Sequence, residues 1–443
     1  MTKLYFKDIR KKKIDKAGFE NKNTLLKALY GLPNKIKFCK SCVVSNQRPN
    51  SSIEFQTGSD GQNKDTINID DSQICDACKV NEFKKEVNWE ERKKKLEAIC
   101  DKHRRNNGEY DCLIPGSGGK DSLYASWILK NDFGMHPLTV TWAPNLYTDW
   151  GRRNLQKWIE AGFDNQLFTP NQKVHRILTR IATENLLHPF QPFILGQKLL
   201  PPKIAKSLNI PLVFYGENEA EYGNPQSEAN NSKRTKKYYT YEKEKQIFIS
   251  VMEINQILEN FSLDKNALNL YLPSSSHNNI NSKVEVHYLG YYIKWHPQNL
   301  YYHSVKNFNF EPCPHRNPGT FSKYASLDDK LDDLHYYTTY IKFGIGRATH
   351  DASQELRNND ITRSEAINIV EKYDGEYPRR FIPELMKYLS LPEKDFPGAS
   401  KLFEQPIMDE EYFIKLCDTF RSPHIWTYEN DWKLRKAVWH KSD

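Results

Sequence analysis

The feature that most constrains this chain is the stretch Ser117-Gly118-Gly119-Lys120-Asp121-Ser122. Ahead of it, Tyr110-Asp111-Cys112-Leu113-Ile114-Pro115 is a short apolar run that reads as a buried strand. Behind it, Leu123 to Lys130 is apolar at helical spacing. The glycines therefore fall on a strand-to-helix turn. There a backbone can approach a ligand closely, because glycine has no side chain in the way. The helix that follows turns its unsatisfied N–H groups and its positive dipole end toward the same point, a seat for phosphate. Ser117 and Ser122 add hydroxyls. Asp121, being negative, is suited either to orienting loop donors or to helping hold Mg²⁺.

The spacing fits neither a Walker A loop nor the dinucleotide fingerprint. It resembles the SGGxDS loop of the PP-loop ATP pyrophosphatases, in which ATP is cleaved between its α and β phosphates. After the loop, strands and helices alternate. Strands are expected at 136–142, 166–169 and 210–216, with helices at 151–162 and 172–187. That alternation predicts an α/β fold, a doubly wound parallel sheet with helices on both faces. Its ligands would bind beyond the carboxyl ends of the strands. The loop, Trp142-Ala143 and the segment Gly216-Glu217-Asn218-Glu219 then share one rim. Trp142 and Ala143 are placed near adenine. Glu217 and Asn218 are the preferred polar pair of their segment, Glu217 as a base or as a ligand to Mg²⁺.

Upstream, Cys39-x-x-Cys42 and Cys75-x-x-Cys78 form two knuckles that can present four thiolates tetrahedrally to Zn²⁺. A site filled by four cysteines keeps no position open for water, so the metal would be structural. The spacer Ser59–Asp71 is expected to bulge out. Residues 1–37 are a basic extension, densest at Arg10-Lys11-Lys12-Lys13, read as a solvated helical extension. Residues 38–80 are the four-cysteine, zinc-ribbon-like module and 81–109 a charged linker helix. The ATP-binding domain runs over 110–300, with an insertion at 222–283 that includes Lys233-Arg234-Thr235-Lys236-Lys237 and an apolar helix at 247–261. Tyr288–Trp295 reads as an aromatic strand. The region 301–443 reads as mainly helical and ends in a basic helix-like tail. Within it Thr362-x-x-Glu365 fits a capping box, and Lys342-Phe343-Gly344-Ile345-Gly346-Arg347 brings two cations to one flexible turn. Such a pair suits a departing pyrophosphate or a nucleotide-sugar diphosphate.

The 443 residues carry a formal charge of +8 and a mean hydropathy of −0.76. These values allow anionic partners and select none of them. No apolar run is long enough to cross a bilayer, the first residues lack an apolar signal core, and cytoplasmic residence is the default expectation.

Several stretches stand in one order: Cys39-Lys40-Ser41-Cys42 with Arg48-Pro49 and Phe55, Cys75-x-x-Cys78, Tyr110–Cys112 before Ser117–Ser122, Thr139–Pro144, Tyr288–Trp295, Lys342–Asp351, and Thr362–Ala366 before Tyr373-Asp374-Gly375-Glu376. Together they resemble the N-acetyl sugar amidotransferases of bacterial surface-polysaccharide and flagellin-sugar biosynthesis, over roughly residues 38–390. The resemblance implies an ATP-dependent amidation of a nucleotide-linked acetamido sugar. It also implies a glutaminase partner and a cyclase-like, ammonia-channelling partner resembling the subunits of imidazole glycerol phosphate synthase. ATP phosphates are mapped to Ser117, Gly118, Gly119, Lys120 and Ser122, and metal or loop support to Asp121. Position and charge add Lys342 and Arg347 for the pyrophosphate. No membrane or nucleic-acid partner is expected. Two rival readings are a PP-loop tRNA-modifying thiolase or ligase, and a zinc-ribbon scaffold for a glutaminase with an inactive loop.

Overall fold

The computed structural model describes residues 14, 16–20, 26–56, 64–241, 246–275 and 284–440. The Arg10–Lys13 run lies outside them, as do parts of the cysteine spacer and of the 222–283 segment.

Five parallel strands form the central sheet: β1 (Cys112–Pro115), β2 (Pro137–Trp142), β3 (Asn165–Phe168), β4 (Leu212–Tyr215) and β5 (Glu285–Tyr288). Their order is β3-β2-β1-β4-β5, so the chain winds outward one way from β1 and then crosses back to wind the other. Cys112 pairs with Pro137 on one side and Leu212 on the other, which puts β1 at the centre. Successive side chains of β1 point to opposite faces. Cys112 and Ile114 join a core with Leu123, Leu129, Trp158, Leu300 and Phe308, while Leu113 joins another with Ile177, Ile181, Leu195 and Leu199. Both faces are thus covered, as a parallel sheet requires.

The helices flanking the sheet are α3 (Lys120–Asn131), α4 (Asp149–Glu160), α5 (Gln172–Leu186), α6 (Gln191–Ser207) and α7 (Pro297–Phe308), after α1 (Asp76–Lys85) and α2 (Trp89–His103). The C-terminal part holds α8 (Asp332–Phe343), α9 (Arg347–Arg357), α10 (Arg363–Tyr373), α11 (Ile382–Leu389) and α12 (Glu410–Thr419), then an antiparallel hairpin, Trp426–Glu429 with Asp431–Leu434. The capping box at Thr362 forms as its spacing predicts, the Glu365 carboxylate accepting from the Thr362 N–H at 2.7 Å. No helix among the described residues is long and apolar enough to cross a membrane.

Several elements differ from expectation. The charged stretch around 81–109 is two helices, because the Asn88 side chain accepts from the Glu91 N–H and starts a new helix there. The aromatic segment 288–295 is strand only to Tyr288; Leu289–Tyr292 then forms one helical turn. The supposed apolar helix from 247 begins as a two-strand hairpin, Phe248–Ile249 with Met252–Glu253, and only Ile254–Asn260 is helical. The tail at 432 is a strand, with Tyr428 paired to Trp432. Helix α6 was missed, since Pro192, Pro201 and Pro202 argue against a helix. Where described, the cysteine spacer folds inward: Ile67 and Ile69 are buried beside the cysteines, and Ile69 bridges Cys75.

Candidate functional site

The Ser117–Ser122 loop sits at the carboxyl end of the central strand and runs straight into α3. Gly118 has φ +83°, and a Cβ there would lie 2.7 Å from the backbone of Leu155. A Cβ on Gly116 would lie 2.2 Å from that of Ser122. Only glycine gives the turn both its conformation and its closeness to α3 and α4. Gly119 is the N-cap of α3 and supplies no side-chain cap, so the dipole end of the helix is left for another partner.

Around this loop the charges alternate. Lys120 is buried, and its Nζ holds both oxygens of Asp121 at 2.8 Å. Burial works against the lysine charge, but Asp121, Glu217 and Asp351 outweigh it and keep its pKa above the ordinary value. Ser122 Oγ donates to the Gly119 carbonyl at 2.9 Å and so stiffens the loop. The Ser117 hydroxyl meets the carboxylate of Asp328. Glu217, at the end of β4, accepts from Gln354 Nε2 at 3.2 Å. Burial first, then the nearby Asp121, push the Glu217 pKa up to about 8, against the pull of Lys120 and Lys84. A carboxyl group tuned this far is suited to proton transfer near neutral pH.

A cavity of about 240 Å³ opens beside the loop. Pro115, Ser117, Trp142, Lys198, Glu217 and Arg234 lie in its wall. Trp142 lies flat on Gly196, where a Cβ would come within 2.2 Å of the ring. Its Nε1 is buried without a hydrogen-bond partner among the described residues. The structure thus brings together the loop residues, Trp142 and Glu217.

Other expected site residues lie differently. Ala143 is buried behind Trp142, with its N–H bonded to the Phe168 carbonyl. Asn218 fixes its own turn: its amide donates to the carbonyls of Glu228 and Asn231 and accepts from the Ala220 N–H. Lys342 and Arg347 do not converge. Gly344 ends α8 in a left-handed cap, so the two side chains leave in separate directions. Lys342 Nζ donates to the Leu186 carbonyl at 2.7 Å, over the Tyr30 ring. Arg347 is buried over Tyr336, bonded to the carbonyls of Ala325 and Ser326 and 3.8 Å from Asp351.

Sequence reasoning missed Lys198, Asp328 and Asp351, and left Arg234 undistinguished inside the charge run 233–237. Lys233, Lys236 and Lys237 are exposed, whereas Arg234 is buried, bonded to Glu219 and stacked over Tyr215. Asp328 stands at the head of an acidic run, 328–333, in which nothing marks it as the residue that reaches Ser117.

The four cysteines converge, every Sγ within 4.8 Å of the others and all buried. Cys39 and Cys78 are 3.8 Å apart and Cys42 and Cys75 are 3.6 Å apart. Four thiolates held at zinc-sulfur distances in a tetrahedron are separated by about 3.8 Å, so the donor set fits such a centre. The N–H groups of Cys42 and Cys75 approach Cys39 Sγ at 3.5 and 3.4 Å. Cys75 is also the N-cap of α1 and Cys78 lies in its first turn, so the cluster fixes where that helix begins.

A parallel sheet in this strand order, with a glycine loop passing from its central strand into an uncapped helix, defines a doubly wound α/β fold, as the alternation in the sequence predicts. Residues 318–438 match the family described as "LPS biosynthesis protein WbpG-like, C-terminal domain". That match makes the C-terminal part of the chain similar to such proteins, in line with the resemblance seen in the sequence. An uncharacterized protein of Methanocaldococcus jannaschii is 38% identical over 77 residues, 17% of this chain and 27% of that relative's length. Among solved structures, the NMN synthetase of Francisella tularensis aligns over 52% of this chain and 99% of its own, at 12% identity and a TM-score of 0.22. The strand order, rather than that superposition, carries the fold assignment.

Proposed function

We propose that the chain is an ATP-using ligase of sugar biosynthesis, and specifically an amidotransferase acting on a nucleotide-linked acetamido sugar. The observation that carries this reading is the loop itself: a glycine turn at the end of the central strand, an uncapped helix behind it, and a cavity beside it walled by Trp142 and Glu217. ATP phosphates would lie against Ser117, Gly118, Gly119, Lys120 and Ser122, with the base toward Trp142.

The acetamido oxygen attacks the α-phosphorus and pyrophosphate leaves, which turns a poor leaving oxygen into a good one. Ammonia then adds to the same carbon, gives up a proton to Glu217, and AMP departs with the former carbonyl oxygen. An acetamidino group remains. The ammonia would come from a partner glutaminase through a cyclase-like subunit. Asp121, half-exposed at the loop mouth, is suited to a Mg²⁺ that neutralises phosphate charge. The four cysteines would hold a structural Zn²⁺.

The test is direct. Purified protein given ammonium salt, Mg-ATP and nucleotide-linked acetamido sugars should release AMP and pyrophosphate and lower the sugar mass by about one unit, the exchange of O for NH in the displacement. Formation of ADP, or an unchanged sugar mass with every sugar offered, would refute the reading.

A further inference from the structure

Glu217 stands in the walls of two cavities. One is the cavity of about 240 Å³ beside the glycine loop. The other is small, about 20 Å³, and is closed in by α1, the turn after β4, the start of α7 and the end of α9. Glu217 is the only described residue that the two walls share. A nucleotide seated at the loop therefore leaves the small cavity unfilled, and whatever occupies it meets the same carboxyl group from another side.

The small cavity selects its occupant by size first. A space of about 20 Å³ holds one molecule of the size of water or ammonia. Its polar wall selects next. Lys84 Nζ is engaged by Glu221 at 2.7 Å, and Gln354 Nε2 by Glu217 at 3.2 Å. Asn81 donates to the Arg357 carbonyl at 2.8 Å and Asn358 to the Gln354 carbonyl at 3.0 Å. Each asparagine keeps its Oδ1 without a partner among the described residues. Open acceptors beside a carboxylate suit a molecule with several N–H donors, and ammonia held that way keeps its lone pair for attack. With Glu217 ionised, the charged side chains of the wall are balanced, Lys84 and Arg357 against Glu217 and Glu221. Such a wall draws in neither a phosphate nor a metal cation.

We infer that this cavity seats the ammonia that attacks, so that α1 of the cysteine module and the end of α9 form the nucleophile's entrance, separate from the nucleotide cavity. The role in attack rests on the amidation proposed above; the existence of an ammonia site does not.

Thermal melts of the full chain read the site without any sugar. They compare ammonium chloride with potassium chloride at equal ionic strength and alkaline pH, with a saturating non-hydrolysable ATP analogue present throughout. We expect ammonium to raise the midpoint saturably, by about 1 °C or more, and methylammonium to leave it at the potassium value. Asn81→Met fills the cavity from α1, and Asn358→Leu removes an acceptor at the end of α9; both positions are half-buried. Each variant should abolish the ammonium shift and leave the affinity for the analogue within about twofold. In the amidation assay each should raise the KM for ammonium about tenfold or more. No ammonium shift with the analogue bound, an equal shift from methylammonium, or an unchanged shift in both variants would overturn the site. A variant-sensitive shift with no sugar amidated would retain the ammonia site and reject the amidation. Amidation with an unchanged KM for ammonium in both variants would keep the reaction and reject this entrance.

Discussion

Lys84 Nζ and Glu221 Oε2 are 2.7 Å apart, and this ion pair joins the cysteine module to the rim of the sheet. Lys84 lies on α1, the helix that Cys75 caps, and Glu221 follows Glu217 on the turn after β4. Gln354 of α9 completes the contact by bonding Glu217. The cysteine cluster is therefore linked mechanically to the acid at the site. Lys84→Ala should reduce turnover by about fivefold to tenfold while changing stability by no more than about 1 kcal/mol. Lys84→Arg should restore most of the rate. Steady-state kinetics alongside a denaturant titration checks both; an equal loss in both variants would contradict a charge-mediated role.

Glu217, with its pKa raised to about 8, gives two linked expectations. As a base it must be ionised, so the rate should climb with pH and level off above about 8, and Glu217→Gln should abolish the climb. For stability the sign is opposite. The folded carboxyl holds its proton more tightly than the unfolded one, so its contribution is complete below the unfolded value of 4.5. That contribution is lost as pH rises through about 8. Wild type should lose stability relative to Glu217→Gln over that window in parallel denaturant melts.

Metal removal should act on the fold before it acts on chemistry. A buried four-thiolate cluster without its cation leaves repelling sulfurs in the core formed by Val44, Ile67, Ile69 and Ala77. Cys75→Ser, or a strong chelator, should cost more than about 4 kcal/mol, in the range seen when a structural metal is lost. Elemental analysis should find one zinc per chain in the wild type. Full stability after complete demetallation would refute a structural role.

Gly118→Ala tests the loop. Forcing a non-glycine residue to φ +83° costs about 1–2 kcal/mol, and the added methyl meets the Leu155 backbone at 2.7 Å. The loop should shift away from α4 and ATP binding should fall below detection in calorimetry. Gly108→Ala shares a positive φ but has no neighbour within 4 Å of the added atom. It should cost stability alone and bind ATP as the wild type does.

Periodic segments were legible in the sequence and irregular ones were not. Each strand of the sheet near the loop announced itself as an apolar run bounded by turn residues. Helix α6 did not, because its prolines mask a helix whose packing against β1, β2 and β4 outweighs their local cost. Glu217 was legible because it follows a strand directly. Arg234 was not, because burial of a single arginine among exposed lysines has no signature in a charge run.

The sequence by itself determined the glycine turn, the uncapped start of α3, the four thiol ligands and the alternation that makes a parallel sheet, since each depends on residues near one another in the chain. Tertiary structure alone decided which distant groups meet: Asp328 with Ser117, Lys84 with Glu221, and Lys198 with Glu54. The physical reason is that a charge's partner is set by the folding of segments more than a hundred residues apart, and pairing across that distance leaves no period in the sequence to read.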